Sequence, residues 1–319
     1  MPPTEPAGSG HRTRRLTGFV DLLGALHNLG WLGTARLRGG EFVAYPAGDG
    51  QPIPVRVIGQ GSPVVLVHGL GCSHRQWMPV ARRLSRRHRA YAWDGRGHGR
   101  CRPVEGVITL ARLAHDLRDL IDHFDLGRAV LVGHSMGALT VMQYLHDHGT
   151  ARVAAVVLVD QSPRIVTDEH WGLGLFGSCS APMLHSLIAG ARLNLAETVA
   201  AEIEAVAGER LKPYLRPEAT LGRWLRRWLG RVEAAPLLDL AESLVAADFR
   251  HSLSRLDAPL MVVLGGRSSH YGGLPLGAWY RQAVPHAQVR VYPQAGHSPH
   301  YSEPWRFADD LVQFIADHA

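Results

Sequence analysis

Lysine is nearly absent from this chain. Lys212 is the one lysine among 34 basic residues, and the formal charge of +6 is carried by arginine. Those arginines are spread along the sequence with no nucleic-acid-binding motif, so a solvated basic surface is expected and no nucleic-acid partner. Cysteine is scarce as well. Cys72, Cys101 and Cys179 are odd in number and lack metal-ligand spacing, which excludes a disulfide framework and a cysteine-based zinc site. No apolar run reaches the roughly 18 residues that a membrane-spanning helix needs, so no stable membrane insertion is expected.

What is present is an ordinary globular composition, 46% hydrophobic with 35 glycines in 319 residues. That length suits two average domains or one large α/β unit. Residues 1–12 are rich in Pro, Gly and polar groups and read as disordered. Arg14-Arg15 evokes a twin-arginine signal, but Asp21 and His27 interrupt the following segment and no small-residue cleavage site appears. Export is therefore rejected and a cytoplasmic location expected. Leu16, Phe19, Val20, Leu23 and Leu26 instead follow helical spacing. Residues 1–40 thus form an N-terminal extension ending in an amphipathic helix, packed on the domain or serving as a lid or membrane-surface element.

From residue 41 strands and helices alternate. Short strands are expected at 41–46 and 54–58, and continuous apolar runs at 63–67, 90–93, 129–132 and 153–159 read as strands buried on both faces. Leu110, Leu113, Leu117, Leu120, Ile121 and Phe124 mark one helix face, stopped by Gly127. After Asp160 the alternation breaks, and residues 161–250 carry helical patterns without strands. Strands resume at 260–264 and 289–292, and a final helix runs over 304–317. Such alternation predicts a mostly parallel sheet covered by helices on both faces. The helical insertion then belongs above the carboxyl ends of the strands, where open α/β sheets place their sites.

Gly133-His134-Ser135-Met136-Gly137 ends one apolar strand and opens a helix. Strand, sharp turn bearing a serine, then helix is the setting of a nucleophile elbow, whose glycines avoid collisions with the neighbouring strand and helix. Three more motifs occur in order: His68-Gly69-Leu70-Gly71, Asp94-Gly95-Arg96-Gly97-His98-Gly99, and Ala295-Gly296-His297-Ser298-Pro299-His300. Together they resemble the α/β-hydrolase superfamily, in its capped, serine-nucleophile, esterase-like branch. The resemblance covers residues 41–319. It implies an α/β-hydrolase fold with an eight-stranded, mostly parallel sheet, a core of 41–160 and 251–319, and a helical cap of 161–250.

The resemblance also implies roles. Ser135 matches the nucleophile and needs a base, since a serine hydroxyl is a poor nucleophile near neutral pH. His297, on the loop after the last strand, matches that base, with His300 a weaker competitor. His134 beside the nucleophile is expected to pack beneath the elbow. The backbone amides of Leu70 and Met136 match the oxyanion hole. His68 and Trp77 are candidates for the substrate pocket or for packing, and Trp171 and Phe176, with Leu173, Leu175, Met183 and Leu184, for the wall of an apolar pocket. Asp94 is expected to be structural, and Cys101 a small buried side chain. No cofactor or metal is implied.

The acid departs from the family pattern. Most relatives carry Asp after the penultimate strand, where Leu264-Gly265-Gly266-Arg267-Ser268-Ser269 places Ser268, and no carboxylate follows before the last strand. Asp160, at the end of the strand after the elbow helix, is the expected substitute, with turn capping as its competing role, and Ser268 is expected to matter little. The function expected is hydrolysis or acyl transfer on a small hydrophobic ester, lactone or thioester. The alternatives are a cofactor-free lyase, perhydrolase or cyclase, or a ligand-binding pseudoenzyme. The sequence is silent on the oligomeric state.

Overall fold

The computed structural model describes residues 40–102, 104, 106–206 and 212–319. The amphipathic helix expected within residues 16–26 lies outside them. Eight strands form one sheet: β1 (Glu41–Pro46), β2 (Pro52–Ile58), β3 (Ser62–Val67), β4 (His88–Trp93), β5 (Ala129–His134), β6 (Val153–Val159), β7 (Leu260–Gly265) and β8 (Gln288–Tyr292). Their order is β1-β2-β4-β3-β5-β6-β7-β8. β2 pairs antiparallel with β1 and β4, and every other pairing is parallel.

The central strands are apolar throughout because both faces are covered. Alternate residues of each strand enter two different cores. Val65, Val67, Leu131, Leu158, Val262 and Leu264 meet α2 (Leu110–His123), α3 (Met136–His148) and α7 (Gly273–Ala283) on one face. Val64, Leu66, Val132, Val157, Val159 and Val263 meet α1 (Met78–Leu84) and α8 (Pro304–His318) on the other. α7 was not read from the sequence, since Gly272, Gly273 and Pro275 at its start obscure its pattern.

The connection from β6 to β7 is helical among its described residues, carrying α4 (Ala181–Val206), α5 (Thr220–Leu229) and α6 (Ala235–Val245) and no named strand. α4 bends at Asn194, whose φ of −154° and ψ of 90° are not helical. Two stripes visible in the sequence meet here. Val199 and Ile203 of α4 pack with Trp224, Leu225, Trp228 and Leu229 of α5 around Ala200 and Leu215, giving the insertion a small core of its own. Pro236 and Leu237 fill the space beside Gly97, and Ser243 Oγ accepts from the Leu110 amide at 2.9 Å. The insertion therefore lies over the carboxyl ends of the strands. No helix among the described residues is long and apolar enough to cross a membrane.

Below that face a buried ion network joins three segments. The Arg96 guanidinium, 3% exposed, donates to both carboxylate oxygens of Asp116 at 2.6 and 2.9 Å and to Asp49 at 2.6 Å. Arg112 adds bonds to Asp116 at 3.0 Å and Asp119 at 3.1 Å. The β1–β2 turn, the loop after β4 and α2 are thereby held together.

Candidate active site

Ser135 stands between β5 and α3 with φ 54° and ψ −125°, a strained combination for a residue bearing a Cβ. The flanking glycines make this turn sterically feasible. A Cβ at Gly133 would overlap backbone atoms of Gly137 and Ala138, and one at Gly137 would overlap the carbonyl oxygens of Val67 and His68. The loop after β3 passes directly beside the elbow, since a Cβ on Gly69 would lie 3.3 Å from that of Ser135. This brings the Leu70 backbone to the neighbourhood of Ser135. Met136 is the first residue of α3, and amides in a first helical turn have no intrahelical acceptor. Its side chain is buried in the core, so only its backbone bears on the site.

Asp160 ends β6, fully buried and in a left-handed conformation with φ 45°. Because β6 and β7 are parallel neighbours, its carboxylate reaches the end of β7, where Oδ1 accepts from the Gly265 amide at 2.8 Å. Oδ2 accepts from Ser268 Oγ at 2.6 Å and from His297 Nδ1 at 2.7 Å. The carboxylate and imidazole that the sequence brackets as partners are thus in contact. The Ser268 hydroxyl, expected to matter little, is itself a donor to Asp160.

Burial pushes the Asp160 carboxyl up, to about 7, with the Ser268 hydroxyl and Gly265 amide pulling the other way. Burial pushes the His297 imidazole down, to about 3. The donors converging on Asp160 offset part of that rise, and its carboxylate pairs with a neutral imidazole protonated at Nδ1. That tautomer leaves Nε2 with a lone pair, as a general base requires.

Other rings fix the histidine. His134 Nε2 donates to the His297 carbonyl at 2.9 Å, and the two rings lie 4.8 Å apart. The residue before the serine therefore holds the loop that carries His297. His300 is fully buried, its ring tilted against Trp77 at 4.3 Å and His134 at 4.5 Å, and Asp160 bonds His297. Sequence reasoning passed over His270. Its ring stacks on His297 at 3.8 Å with an interplanar angle of 10°. The signal was its place two residues beyond Ser268, on the loop where the acid usually sits.

Of the residues read as candidates for the pocket or for packing, His68 and Trp77 are packed inside the protein, and the pocket-wall candidate Trp171 is buried as well. His68 is fully buried, its Nδ1 donating to the Gly69 carbonyl at 2.9 Å and its Nε2 accepting from the Gly95 amide at 3.0 Å. Trp77 is fully buried between core strands and α8, against Phe307. Trp171, 5% exposed, donates from Nε1 to the Arg164 carbonyl at 3.0 Å and packs edge-on against Trp279. Phe176 differs: it is 41% exposed, its amide donates to the His270 carbonyl at 2.7 Å, and its ring lies 5.4 Å from His270. Asp94 is structural, accepting from the His74 amide and ring and from the Arg100 amide. Cys101 is buried, and its thiol is pushed up to about 12 by desolvation.

Comparison with known proteins identifies the family to which this fold belongs. A model of the alpha/beta hydrolase family matches residues 64–310. The chain belongs to the alpha/beta hydrolase family. It is 26% identical over 278 residues to a non-heme chloroperoxidase of Kitasatospora aureofaciens, covering 84% of this chain and 97% of that protein. It is 29% identical over 278 residues to a pimeloyl-[acyl-carrier protein] methyl ester esterase of Chromobacterium violaceum, covering 83% and 96%. An esterase from Exiguobacterium antarcticum has the same fold, with a TM-score of 0.71 at 20% identity over 87% of this chain and 99% of that one. This alpha/beta hydrolase is accordingly an enzyme of the hydrolase class, with ester-cleaving relatives.

Proposed function

We propose that this alpha/beta hydrolase cleaves or transfers the acyl group of a hydrophobic ester, lactone or thioester, through Ser135, His297 and Asp160. The 2.7 Å contact between His297 Nδ1 and Asp160 carries the reading. Ser135 Oγ attacks the carbonyl carbon and gives its proton to His297 Nε2, and the buried Asp160 carboxylate stabilises the imidazolium that forms. The developing oxyanion accepts from the amides of Leu70 and Met136, donors worth about 3–4 kcal/mol each. Collapse breaks the bond to the leaving group, which takes the proton back from His297 and leaves an acyl-enzyme. Water or another hydroxyl then repeats the sequence in reverse.

Residues 161–250 act as the cap in this reading, with residues 41–160 and 251–319 as the catalytic core. The exposed side chains of Leu70, 40%, and Phe176, 41%, beside the site support a substrate with apolar bulk. The test is covalent trapping by a phosphonate ester. One adduct on Ser135 is expected in the native enzyme and none in Ser135→Ala; an unlabelled native protein without ester turnover overturns the proposal.

A further inference from the structure

Far from Ser135, the packed helices α2 and α3 bring together a second group of residues with distinctive chemistry. One ligand atom each from His115 of α2 and Asp147 and His148 of α3 lie within 4.8 Å of one another. The two imidazole rings are 5.5 Å apart, and the Tyr144 ring packs on His148 at 5.2 Å. His148 Nε2 is buried and has no hydrogen-bond partner, an arrangement that costs free energy unless something else satisfies the nitrogen. The Asp147 carboxylate accepts the Gln143 side-chain amide at 2.9 and 3.0 Å, which orients it without neutralising it.

We propose that His115, Asp147 and His148 bind a divalent transition-metal ion of the zinc type. Two imidazoles and one carboxylate are a donor set that zinc takes with water in a fourth position. Ligand atoms on one zinc sit about 3.3 Å apart, so closure from 4.8 Å takes a small rotation of the half-buried His115 and exposed Asp147 side chains. The nearby cations are engaged elsewhere, which limits repulsion: Arg118 donates to Asp119 at 2.9 Å and Arg152 to Asp125 at 3.3 Å.

The site would clip the far end of α3 to α2. α3 is about 20 Å long, which separates the ion from the serine that precedes the helix's other end. Metal binding is therefore expected to stabilise the fold and leave ester turnover unchanged. The experiment is calorimetric titration of Zn²⁺ into chelator-stripped protein, with His115→Ala, His148→Ala and the double variant in parallel. Native protein is expected to bind one equivalent that each single variant weakens by at least about tenfold. Zn²⁺ should raise the Tm of the native protein and leave that of the double variant unchanged. Circular dichroism checks that the variants fold. No uptake of Zn²⁺ by the native protein, or uptake unaltered in the double variant, overturns the proposal.

Discussion

Asp160 and Ser268 form the most consequential pair of side chains. With the catalytic assignment proposed for Asp160, Asp160→Asn keeps the volume and loses the charge, and kcat should fall by about 10³ or more. Steady-state kinetics with an unchanged Tm checks it, and near-native turnover would refute the assignment. Ser268→Ala has a different signature. Burial raises the Asp160 carboxyl to about 7, so activity that needs the carboxylate should decline as pH falls through that value. Stability runs the opposite way: the raised pKa favours the protonated folded state, a contribution full below the ordinary carboxylate range and lost as pH rises through about 7. Removing the Ser268 donor leaves the carboxylate less well held, so the acid limb of kcat/KM should move up by about one to two pH units. A limb that stays in place would show that the 2.6 Å bond has no bearing on the acid's ionisation.

The elbow and the segments packed against it respond at the level of the element. Gly137 closes on two carbonyl oxygens of the β3 end, whereas a Cβ at Gly127 meets nothing within 4 Å. Gly137→Ala should therefore cost about 1–3 kcal/mol or more in urea unfolding, and Gly127→Ala should be close to neutral. The strands were legible from the sequence because being buried on both faces writes a continuous apolar run, as in Val153–Val159. The serine and histidine were legible because short motifs surround them. His270 on His297, Ser268 on Asp160 and His134 on the His297 carbonyl were not. Each joins loops far apart in the chain through a contact that hydropathy does not encode. Trp171 adds a further contact that hydropathy does not encode: the sequence suggested an aromatic wall, and gave no sign that the indole N–H donates to the Arg164 carbonyl.

For the molecule as a whole, the network around Arg96 ties the β1–β2 turn to the sheet and to α2. Arg96 and Asp116 are both almost fully excluded from water, so removing Arg96 leaves a buried carboxylate with the half-buried Arg112 as its remaining cation. Arg96→Ala should destabilise the protein by about 3–5 kcal/mol, read from the urea midpoint at constant m-value. The exposed pair Arg83–Asp309 on the opposite side offers the control, and its loss should cost no more than about 1 kcal/mol.

The parallel pairing of β6 with β7 puts the tips of two strands side by side, both within reach of one imidazole. With the role proposed for Asp160, a carboxylate borne on either tip would have two addresses along the chain and one in space. A search that asks only which residue follows β7 would meet Ser268 and stop, while one that asks what touches the histidine would reach Asp160.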